Sequence, residues 1–442
     1  MEFTASGAPA ATGCAPRICL VTMGCAKNEV DSAAMARRLA AAGYCIVEAP
    51  DGADVIVVNT CSFIQAATEE SLEAIFEAAS LPRVAAGDAS IVVAGCMPAR
   101  YGDDLADELV EARAFVPCSK EDDIVEVVAS LVGPASGAAS SDAPDAAGPV
   151  FSYVKISDGC DRFCSYCTIP LIRGRYRSFG YEDIRADAAR AVEAGAREIV
   201  LIAQDTGRWG QDLPGGHDLA WLVDQLADEF PDTWLRVMYV QPEGVTDALL
   251  AVMAQRENVC SYLDIPLQHV SARLLRAMNR AGSAEKFAAL IDHIRALVPD
   301  ATLRTTLIAG FPGETEDDFE ALCDFVAEAP FDYVGVFPYS REEGTKAFDL
   351  PDQLDEDEKL ERAQVLRDVA DTVCGARVAA RIGRAMPVLV EGAEEDGQLY
   401  GRAQCQAPEV DGVTYVDGGN PGEVVQTVIA DTLLYEMEGE CR

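Results

Sequence analysis

The chain has 442 residues, 49% of them hydrophobic, which is enough apolar material for roughly two to four domain cores and excludes a largely disordered chain. Its 74 acidic and 35 basic side chains give a net charge of −39. The negative electrostatic field of this charge repels polyphosphate backbones, so bulk nucleic-acid binding is disfavoured. The favoured partner is a basic protein or an organic cation.

The cellular location follows from what the sequence lacks. No apolar run approaches the roughly 18 residues that a transmembrane helix needs, and the first sixteen residues lack the basic start and apolar core of a signal peptide. We therefore expect a cytoplasmic protein with no membrane partner. Reducing cytosol keeps thiols free, so the fifteen cysteines are expected to bind metal or to pack in cores, not to form a disulfide framework.

The amino-terminal part alternates strands and helices. Residues 1–16 are rich in Ala, Gly and Pro and are predicted to form a disordered lead. In residues 17–132, β-type runs at 18–23, 55–60 and 91–94 are each followed by a cysteine and then by a helical pattern. The cysteines are Cys25, Cys61 and Cys96. Alternation predicts a parallel sheet, whose strands share one carboxyl edge, so the three cysteines are expected to converge there.

The rest of the chain divides into a linker, a large domain and a tail. Residues 133–149 contain only Gly, Pro, Ala, Ser and Asp, which predicts a flexible linker. Residues 150–382 contain six strand-then-helix units, which predict an open (β/α)6 barrel with its active site at the carboxyl ends of the strands. The strands are predicted at residues 151–156, 198–203, 234–240, 262–265, 302–309 and 333–338. A helical pattern at 355–382 precedes β-rich runs that predict a small β-barrel in residues 383–442.

The strongest chemical signal is a cysteine motif directly after the first barrel strand. Cys160, Cys164 and Cys167 have the spacing C-x3-C-x2-C on one short loop. Three thiolates can bind three corners of a cubane iron–sulfur cluster, which leaves one iron open for a small molecule and can deliver an electron to it. A zinc site is the alternative, but zinc sites usually have four ligands, and no histidine lies in this loop.

This motif, its position and the six-unit pattern resemble the radical S-adenosylmethionine superfamily. The resemblance implies that the open iron chelates the amino and carboxylate groups of S-adenosyl-L-methionine, whose cleavage gives a 5′-deoxyadenosyl radical. Tyr166 matches the aromatic residue that lies near the adenine in that superfamily.

Further segments resemble the methylthiotransferases within that superfamily, namely residues 23–32, 59–64 and 94–96, and the tail looks like their TRAM domain. In that family the three amino-terminal cysteines hold a second cubane with an open iron, so the resemblance implies two [4Fe–4S] clusters and S-adenosyl-L-methionine as cofactors. Taken alone, these three cysteines would fit buried packing as well. The cysteines that match no ligand spacing are predicted to pack or to lie at the surface, namely Cys14, Cys19, Cys45, Cys118, Cys260, Cys323, Cys374, Cys405 and Cys441.

The substrate is indicated by resemblance and by charge. Methylthiotransferases divide mainly into those that modify a transfer RNA adenosine and those that modify the β-carbon of an aspartate in small-subunit ribosomal protein S-twelve. The stretches that resemble the second group are residues 203–206, 262–269, 304–315 and 337–345. The transfer RNA enzyme is the alternative, and a non-catalytic iron–sulfur carrier is a third possibility from a different class.

The tail supports the protein substrate independently. Residues 386–442 carry twelve acidic residues and two arginines, whereas an RNA-binding tail should carry a basic patch with stacking aromatics. An acidic tail suits a basic ribosomal protein, although a merely solvated acidic surface is the alternative. Gln406 departs from the family pattern, which usually has an acidic residue there, and residues 238–242 are less aromatic than usual.

The resemblance also implies a two-part reaction. One S-adenosylmethionine methylates sulfur at the amino-terminal cluster, and a second receives an electron from an unidentified low-potential donor at the other cluster to give the radical. An unactivated C–H bond is too strong for acid–base chemistry at neutral pH, so no catalytic acid or base is proposed. The two open irons are therefore expected to face one cavity.

Other contacts with the cofactor are predicted from their places after barrel strands. They are Gln204, Asp205, Gln268, Gly310, Phe311 and Pro312, together with Tyr166. The glycine turn at residues 310–313 equally fits a strand-to-helix turn in which Thr315 and Asp318 form a capping box, and His269 equally fits a structural histidine. In the cluster Arg173, Arg175 and Arg177, one guanidinium is a candidate to grip the substrate carboxylate, and the alternative is pairing with nearby carboxylates.

Overall fold

The computed structural model describes residues 15–135 and 149–442. The chain divides into two compact units, Met1–Ala146 and Ala147–Arg442. Cys14, nearly all of the predicted lead and most of the predicted linker lie outside the described residues. Within the described ranges, no helix combines the length and apolar character that crossing a bilayer demands.

In residues 15–135, the first unit is built on a five-stranded parallel sheet flanked by helices. Its strands are β1 (Arg17–Thr22), β2 (Cys45–Val47), β3 (Val55–Thr60), β4 (Ser90–Gly95) and β5 (Ala112–Pro117). Its helices are α1 (Ala26–Ala41), α2 (Gln65–Ser80), α3 (Pro82–Ala85), α4 (Cys96–Tyr101), α5 (Asp103–Glu108) and α6 (Ile124–Val132). The parallel sheet predicted from the sequence is thus confirmed.

The strand order is β2-β1-β3-β4-β5. Every residue of β3 is buried, because its Val and Ile side chains lie at the centre of the sheet with a core layer on each face. In sheets of this order, ligands bind beyond the carboxyl ends of the strands, near the point between β1 and β3 where the winding reverses. The sequence does not predict β2 and β5, because these edge strands are mostly half-buried and lack a clear hydrophobic pattern.

The second unit begins with six parallel barrel strands and the helices that follow them. The strands are β6 (Phe151–Lys155), β9 (Glu198–Ile202), β10 (Trp234–Val237), β11 (Tyr262–Asp264), β12 (Thr302–Ala309) and β13 (Tyr333–Pro338), and a short hairpin adds β7 (Ser157–Asp158) and β8 (Arg177–Ser178). The helices are α7 (Ile169–Ile172), α8 (Tyr181–Glu193), α9 (Leu219–Glu229), α10 (Asp247–Gln255), α11 (Ala272–Ala277), α12 (Ala284–Leu297), α13 (Glu316–Glu328) and α14 (Glu356–Ala379).

These six strands form two sheets, β10-β9-β6 and β11-β12-β13, in which every pair is parallel. The backbone N–H of Val240 donates to the carbonyl of Asp264 (2.9 Å) and joins the two sheets. The arrangement is the predicted open (β/α)6 barrel. Side chains cap five of the helices described here and fix where each one starts, namely Asp218, Thr246, Ser271, Ser283 and Thr315.

The chain ends in the predicted small β-barrel, which is closed in the order β14-β15-β16-β18-β17. Its strands are β14 (Ala385–Ala393), β15 (Leu399–Ala403), β16 (Thr414–Val416), β17 (Val424–Leu433) and β18 (Glu436–Cys441). The sequence does not predict β15 or β18. In β18, glutamates alternate with Met, Gly and Cys, and this composition has low strand propensity even though the pattern buries one face.

A buried ion network fastens the small barrel to the amino-terminal ends of the large barrel's strands. Glu198 accepts from Arg236 (2.6 Å) and from Arg402 of β15 (2.6 Å), and all three side chains are at most 1% exposed. Burial alone would raise the pKa of the Glu198 carboxyl, but the two guanidinium groups outweigh it and hold that pKa below its usual range. Tyr262 and Arg304 add further bonds to Asp411 of the small barrel.

Removing the shared carboxylate should destabilise the second unit. Glu198→Gln leaves two buried guanidinium groups without their common counter-charge, which we expect to lower the free energy of unfolding by about 3–5 kcal/mol. Tryptophan fluorescence during urea unfolding reports on this unit, because all three tryptophans (Trp209, Trp221 and Trp234) belong to it.

The matched control is Glu229→Gln, which removes an exposed partner of Arg185 and should cost less than about 1 kcal/mol. Because the pKa of Glu198 is lowered, its stabilising effect is complete above the unfolded carboxyl value of about 4.3 and is lost as the pH falls through the folded value. The difference between wild type and Glu198→Gln should therefore narrow on acidification. Equal stability at neutral pH would contradict the role of this network.

Candidate active site

The loop that carries Cys160, Cys164 and Cys167 lies between β7 and α7 and is held by backbone hydrogen bonds. The N–H of Cys160 donates to Gly174 O (3.2 Å), and the N–H of Cys167 donates to Cys164 O (3.1 Å). Gly159, just before the loop, has φ +73°, and a Cβ there would lie 2.2 Å from Arg175 O. Only glycine fits this entry into the loop.

Two residues after α11 support the same loop from across the barrel. Asn279 adopts a left-handed conformation (φ 58°), and its Nδ2 donates to Arg162 O (2.9 Å) and Phe163 O (3.0 Å), the carbonyls that precede Cys164. The guanidinium of Arg280 lies 3.8 Å from Cys164 Sγ. Neither residue could be predicted from the sequence, since no motif marks them and they are more than 110 positions from the loop along the chain.

Bonds on its other side fix the Arg280 guanidinium beside the loop. Its Nη2 donates to Gln241 Oε1 and to Pro266 O, each at 2.6 Å. Burial alone would lower the pKa of Arg280, but the neighbouring Tyr166 and Cys164 raise it above its usual range, so the group stays cationic. A fixed cation therefore faces one thiol of the motif.

The thiols of Cys164 and Cys160 lie close enough to Cys167 to raise its pKa. The pKa of Cys167 is raised to about 12, first by burial and then by Cys164, with a further contribution from Cys160. Burial also raises the pKa of Cys160. Thiolates at such spacing need a multivalent cation to offset their repulsion, so cluster binding must release protons from this loop.

The predicted cofactor contacts differ in what they touch. Gln204 Oε1 is buried and has no hydrogen-bond partner among the described residues. Gln268 is held with φ +72° by backbone bonds to Thr306 O (2.8 Å) and from Ile308 N (2.7 Å), and such strain is common at ligand sites. Tyr166 lies beside Cys164 and Cys167, and burial, more than the two thiols, raises its pKa. Of the three, Gln204 is the residue with a buried polar side-chain atom left without a partner among the described residues.

Asp205 has a different partner. It is fully buried and pairs with Arg162 of the cysteine loop (Nε to Oδ2, 2.6 Å), and Arg162 also reaches Glu243 (3.0 Å). This pair ties the loop after β9 to the cysteine loop. Asp205 therefore positions the loop in this structure.

The glycine turn after β12 leads into helix α13. A Cβ on Gly310 would lie 2.6 Å from Lys359 Cγ, so its close approach is to α14. Phe311 belongs to the hydrophobic core, packed edge-on against Tyr339, and Pro312 is buried. Thr315 and Asp318 form the capping box that was one of the two predicted alternatives.

His269 is hydrogen-bonded through one nitrogen of its ring, and its other nitrogen, which has no hydrogen-bond partner among the described residues, faces a carboxylate. Its Nδ1 accepts from the N–H groups of Val270 and Ser271, both at 2.9 Å, and its Nε2 lies 3.3 Å from Glu314 Oε2. Glu314 in turn accepts from Gly310 N (3.0 Å). These bonds favour the structural interpretation of this histidine.

Two of the three arginines after α7 pair with carboxylates. Arg173 lies 3.4 Å from Asp158, and Arg175 Nε lies 2.6 Å from Asp161. Arg177 stacks over the ring of Phe179 (5.2 Å to its centroid). The pairing alternative therefore accounts for Arg173 and Arg175.

In the first unit, Cys61 and Cys96 directly follow β3 and β4, and Cys25 follows β1 after Met23 and Gly24. Cys61 and Cys96 are buried and Cys25 is exposed. Gly24 has φ +93°, and a Cβ there would lie 2.3 Å from Cys61 Cβ and 2.8 Å from its Sγ. The loop after β1 thus touches Cys61 through Gly24, the residue before Cys25, and only glycine permits the approach.

Neither trio, nor any other described group of three His, Cys, Asp or Glu residues, is spaced to surround a single metal ion. A cubane cluster binds each thiolate at a different iron. Its ligand sulfurs therefore lie farther apart than those around a single metal ion. Three thiols in each unit, with no histidine among them, are the donor set that an iron–sulfur cluster with one open iron would require. Of the other described cysteines, Cys19, Cys260, Cys374 and Cys405 are buried, and Cys45, Cys118, Cys323 and Cys441 are partly exposed.

Family models match all three regions of the chain. Residues 17–117 match "Uncharacterized protein family UPF0004", residues 154–326 match the radical SAM superfamily and residues 382–441 match the TRAM domain. The solved structure of the radical S-adenosylmethionine methyltransferase TsrM from Kitasatospora setae, with cobalamin and a [4Fe–4S] cluster bound, has a TM-score of 0.54 at 15% identity and covers 76% of this chain and 77% of its own. The fold and the cysteine motif thus define a radical S-adenosylmethionine enzyme.

Curated relatives match nearly the whole chain. The ribosomal protein uS12 methylthiotransferases RimO from Natranaerobius thermophilus, Anaeromyxobacter sp. (strain K) and Geobacter sulfurreducens are 39%, 42% and 40% identical to it, over 96% of this chain and 98%, 93% and 98% of their own lengths. The chain belongs to the RimO family of methylthiotransferases.

The contact between Arg280 and Cys164 should set the redox potential of a cluster on this loop. A cation that faces a cluster thiolate stabilises the more negative, reduced state. In a chain with Cys25, Cys61 and Cys96 changed to Ala, Arg280→Gln should make the midpoint potential more negative by about 60 mV, a tenfold change for one electron. Redox titration followed by electron paramagnetic resonance measures this shift.

The control is Arg276→Gln, which removes an exposed arginine one turn earlier on α11 and should leave the potential unchanged. Arg280→Lys keeps the charge without the guanidinium fork and should give an intermediate potential. If the cluster has the same midpoint potential with Arg280 and with Arg280→Gln, this role of Arg280 is contradicted.

Proposed function

We propose that this enzyme methylthiolates the β-carbon of an aspartate in ribosomal protein uS12. The observation that carries the proposal is the match of about 40% identity along the whole chain to relatives named for that reaction, with both cysteine trios at strand ends. The acidic charge of the chain and of its small barrel supports a basic protein substrate. The proposed place of action is the cytoplasm, where such a substrate is made.

We assign the regions as follows. Residues 17–132 form the methylthiotransferase amino-terminal domain, residues 150–382 form the radical SAM domain, and residues 383–442 form the TRAM domain. Cys160, Cys164 and Cys167 hold one [4Fe–4S] cluster, and Cys25, Cys61 and Cys96 hold the other. When bound, the clusters and S-adenosyl-L-methionine supply the electron, the radical, the methyl group and the sulfur.

The protein's own residues position these groups. Tyr166, Gln204 and Gln268 are the proposed direct contacts with S-adenosyl-L-methionine. Two observations support them: Gln204 Oε1 has no partner in the part of the chain that the structure describes, and the Gln268 backbone is strained. Asp205 acts through Arg162, and the turn from Gly310 to Pro312 shapes the end of β12.

The substrate assignment is tested by offering both candidate substrates. Anaerobically reconstituted enzyme with dithionite and S-adenosyl-L-methionine should add one methylthio group to uS12, detected by peptide mass spectrometry at a single aspartate. Transfer RNA in a parallel reaction should yield no methylthiolated nucleoside. Modification of the nucleoside without modification of uS12 would show that the enzyme acts on RNA.

Single cysteine variants should separate the two sites. Cys164→Ala removes a ligand of the radical-generating site, so both 5′-deoxyadenosine and methylthiolated uS12 should fall to background. Cys25→Ala should abolish methylthiolation while 5′-deoxyadenosine formation persists, since the change removes a proposed ligand of the other cluster only. Chromatography of 5′-deoxyadenosine and mass spectrometry of uS12 measure the two products, and methylthiolation by Cys25→Ala would refute the proposed sulfur site.

A further inference from the structure

Asn28 connects the three cysteine loops of the first unit. It lies in the first turn of α1 and is fully buried. Its Nδ2 donates to Met23 O (2.9 Å) and to Thr60 O (2.9 Å), and the thiol of Cys96 lies 3.7 Å from its Oδ1. Met23 is two residues before Cys25, and Thr60 immediately precedes Cys61. One side chain therefore contacts the loops after β1, β3 and β4.

The chemistry of these partners fixes the orientation of the amide. Both atoms that face Nδ2 are backbone carbonyl oxygens, which accept hydrogen bonds and cannot donate them. The remaining oxygen, Oδ1, faces a thiol that can donate. Any other orientation would place oxygen against oxygen at two buried contacts, which is costly.

Asn28 is itself held by its neighbours. Asn59 Nδ2 donates to Asn28 O and to Ser32 Oγ, both at 2.9 Å. The N–H of Asn28 donates to Cys25 O (2.8 Å). A Cβ on Gly95 would lie 2.2 Å from Asn59 Oδ1, so the chain before Cys96 also packs closely against this group.

We propose that Asn28 is a positioning residue that sets the three cysteine loops in the arrangement that binds the second cluster. The inference rests on the proposed function in one respect, namely that Cys25, Cys61 and Cys96 are ligands. Asn28 is not itself a ligand. It holds the loops before metal arrives, which lowers the ordering cost of assembling three thiolates that repel one another.

Asn28→Asp tests this role with almost no change in shape. It replaces Nδ2 with an acceptor oxygen that faces two carbonyls, so both loop contacts become repulsive. In a chain with Cys160, Cys164 and Cys167 changed to Ala, only the first trio can hold the cluster. We expect Asn28→Asp to bind iron at least about tenfold more weakly than its parent in competition with a chelator, and to alter the electron paramagnetic resonance spectrum of what remains.

Asn258→Asp is the matched control. Asn258 Nδ2 also donates to two backbone carbonyls, Ala227 O and Phe230 O, both at 3.1 Å, but it belongs to the second unit. It should lose stability without losing iron. Iron is measured per monomer recovered by size exclusion, and circular dichroism reports the fold, so loss of iron by unfolding is separated from loss by misplaced loops.

Each outcome is decisive. A parent without iron would refute the ligand assignment itself, whereas a parent with iron and an equally loaded Asn28→Asp would refute only the role of Asn28. Asn28→Ala removes the amide without adding charge and should also fold with weakened iron binding. If Asn28→Asp and Asn28→Ala both fail to fold, Asn28 serves the stability of the sheet and the proposal is overturned.

Discussion

Three thiolates repel one another, so the loops that carry them must be held by bonds that do not come from metal. Both units meet this constraint with an asparagine whose Nδ2 donates to two backbone carbonyls, each one or two residues before a cysteine. Asn28 does so for Met23 O and Thr60 O, and Asn279 does so for Arg162 O and Phe163 O. Two unrelated sheet architectures thus use the same chemistry to fix cysteine loops.

Parallel sheets supply the second part of the arrangement. The carboxyl ends of neighbouring strands lie along one edge of the sheet. Short loops at these ends can therefore bring together cysteines that are far apart in the sequence. In the second unit, the opposite ends of the barrel strands are closed by the small barrel through Glu198, Arg236 and Arg402. The chemistry and the stabilising ion network therefore occupy opposite ends of the same strands.

The sequence predicts those features that depend on neighbouring residues. Hydrophobic runs reveal β3 and all six strands of the large barrel, and cysteine spacing reveals the motif from Cys160 to Cys167. The edge strand β2 and the barrel strand β18 are missed, because their half-buried or glutamate-rich segments carry little hydrophobic signal. Asn279 and Arg280 are missed for a different reason, since their contacts with the cysteine loop arise only when the barrel closes around it.

The most direct test of the two-site account is the iron and sulfide content of anaerobically reconstituted protein, compared across three chains. The wild type should hold about eight irons, corresponding to two cubanes. Changing Cys25, Cys61 and Cys96 to Ala should leave about four, and changing Cys160, Cys164 and Cys167 instead should also leave about four. A wild type with no more than about four irons, or a content that either triple change leaves unaltered, would contradict it.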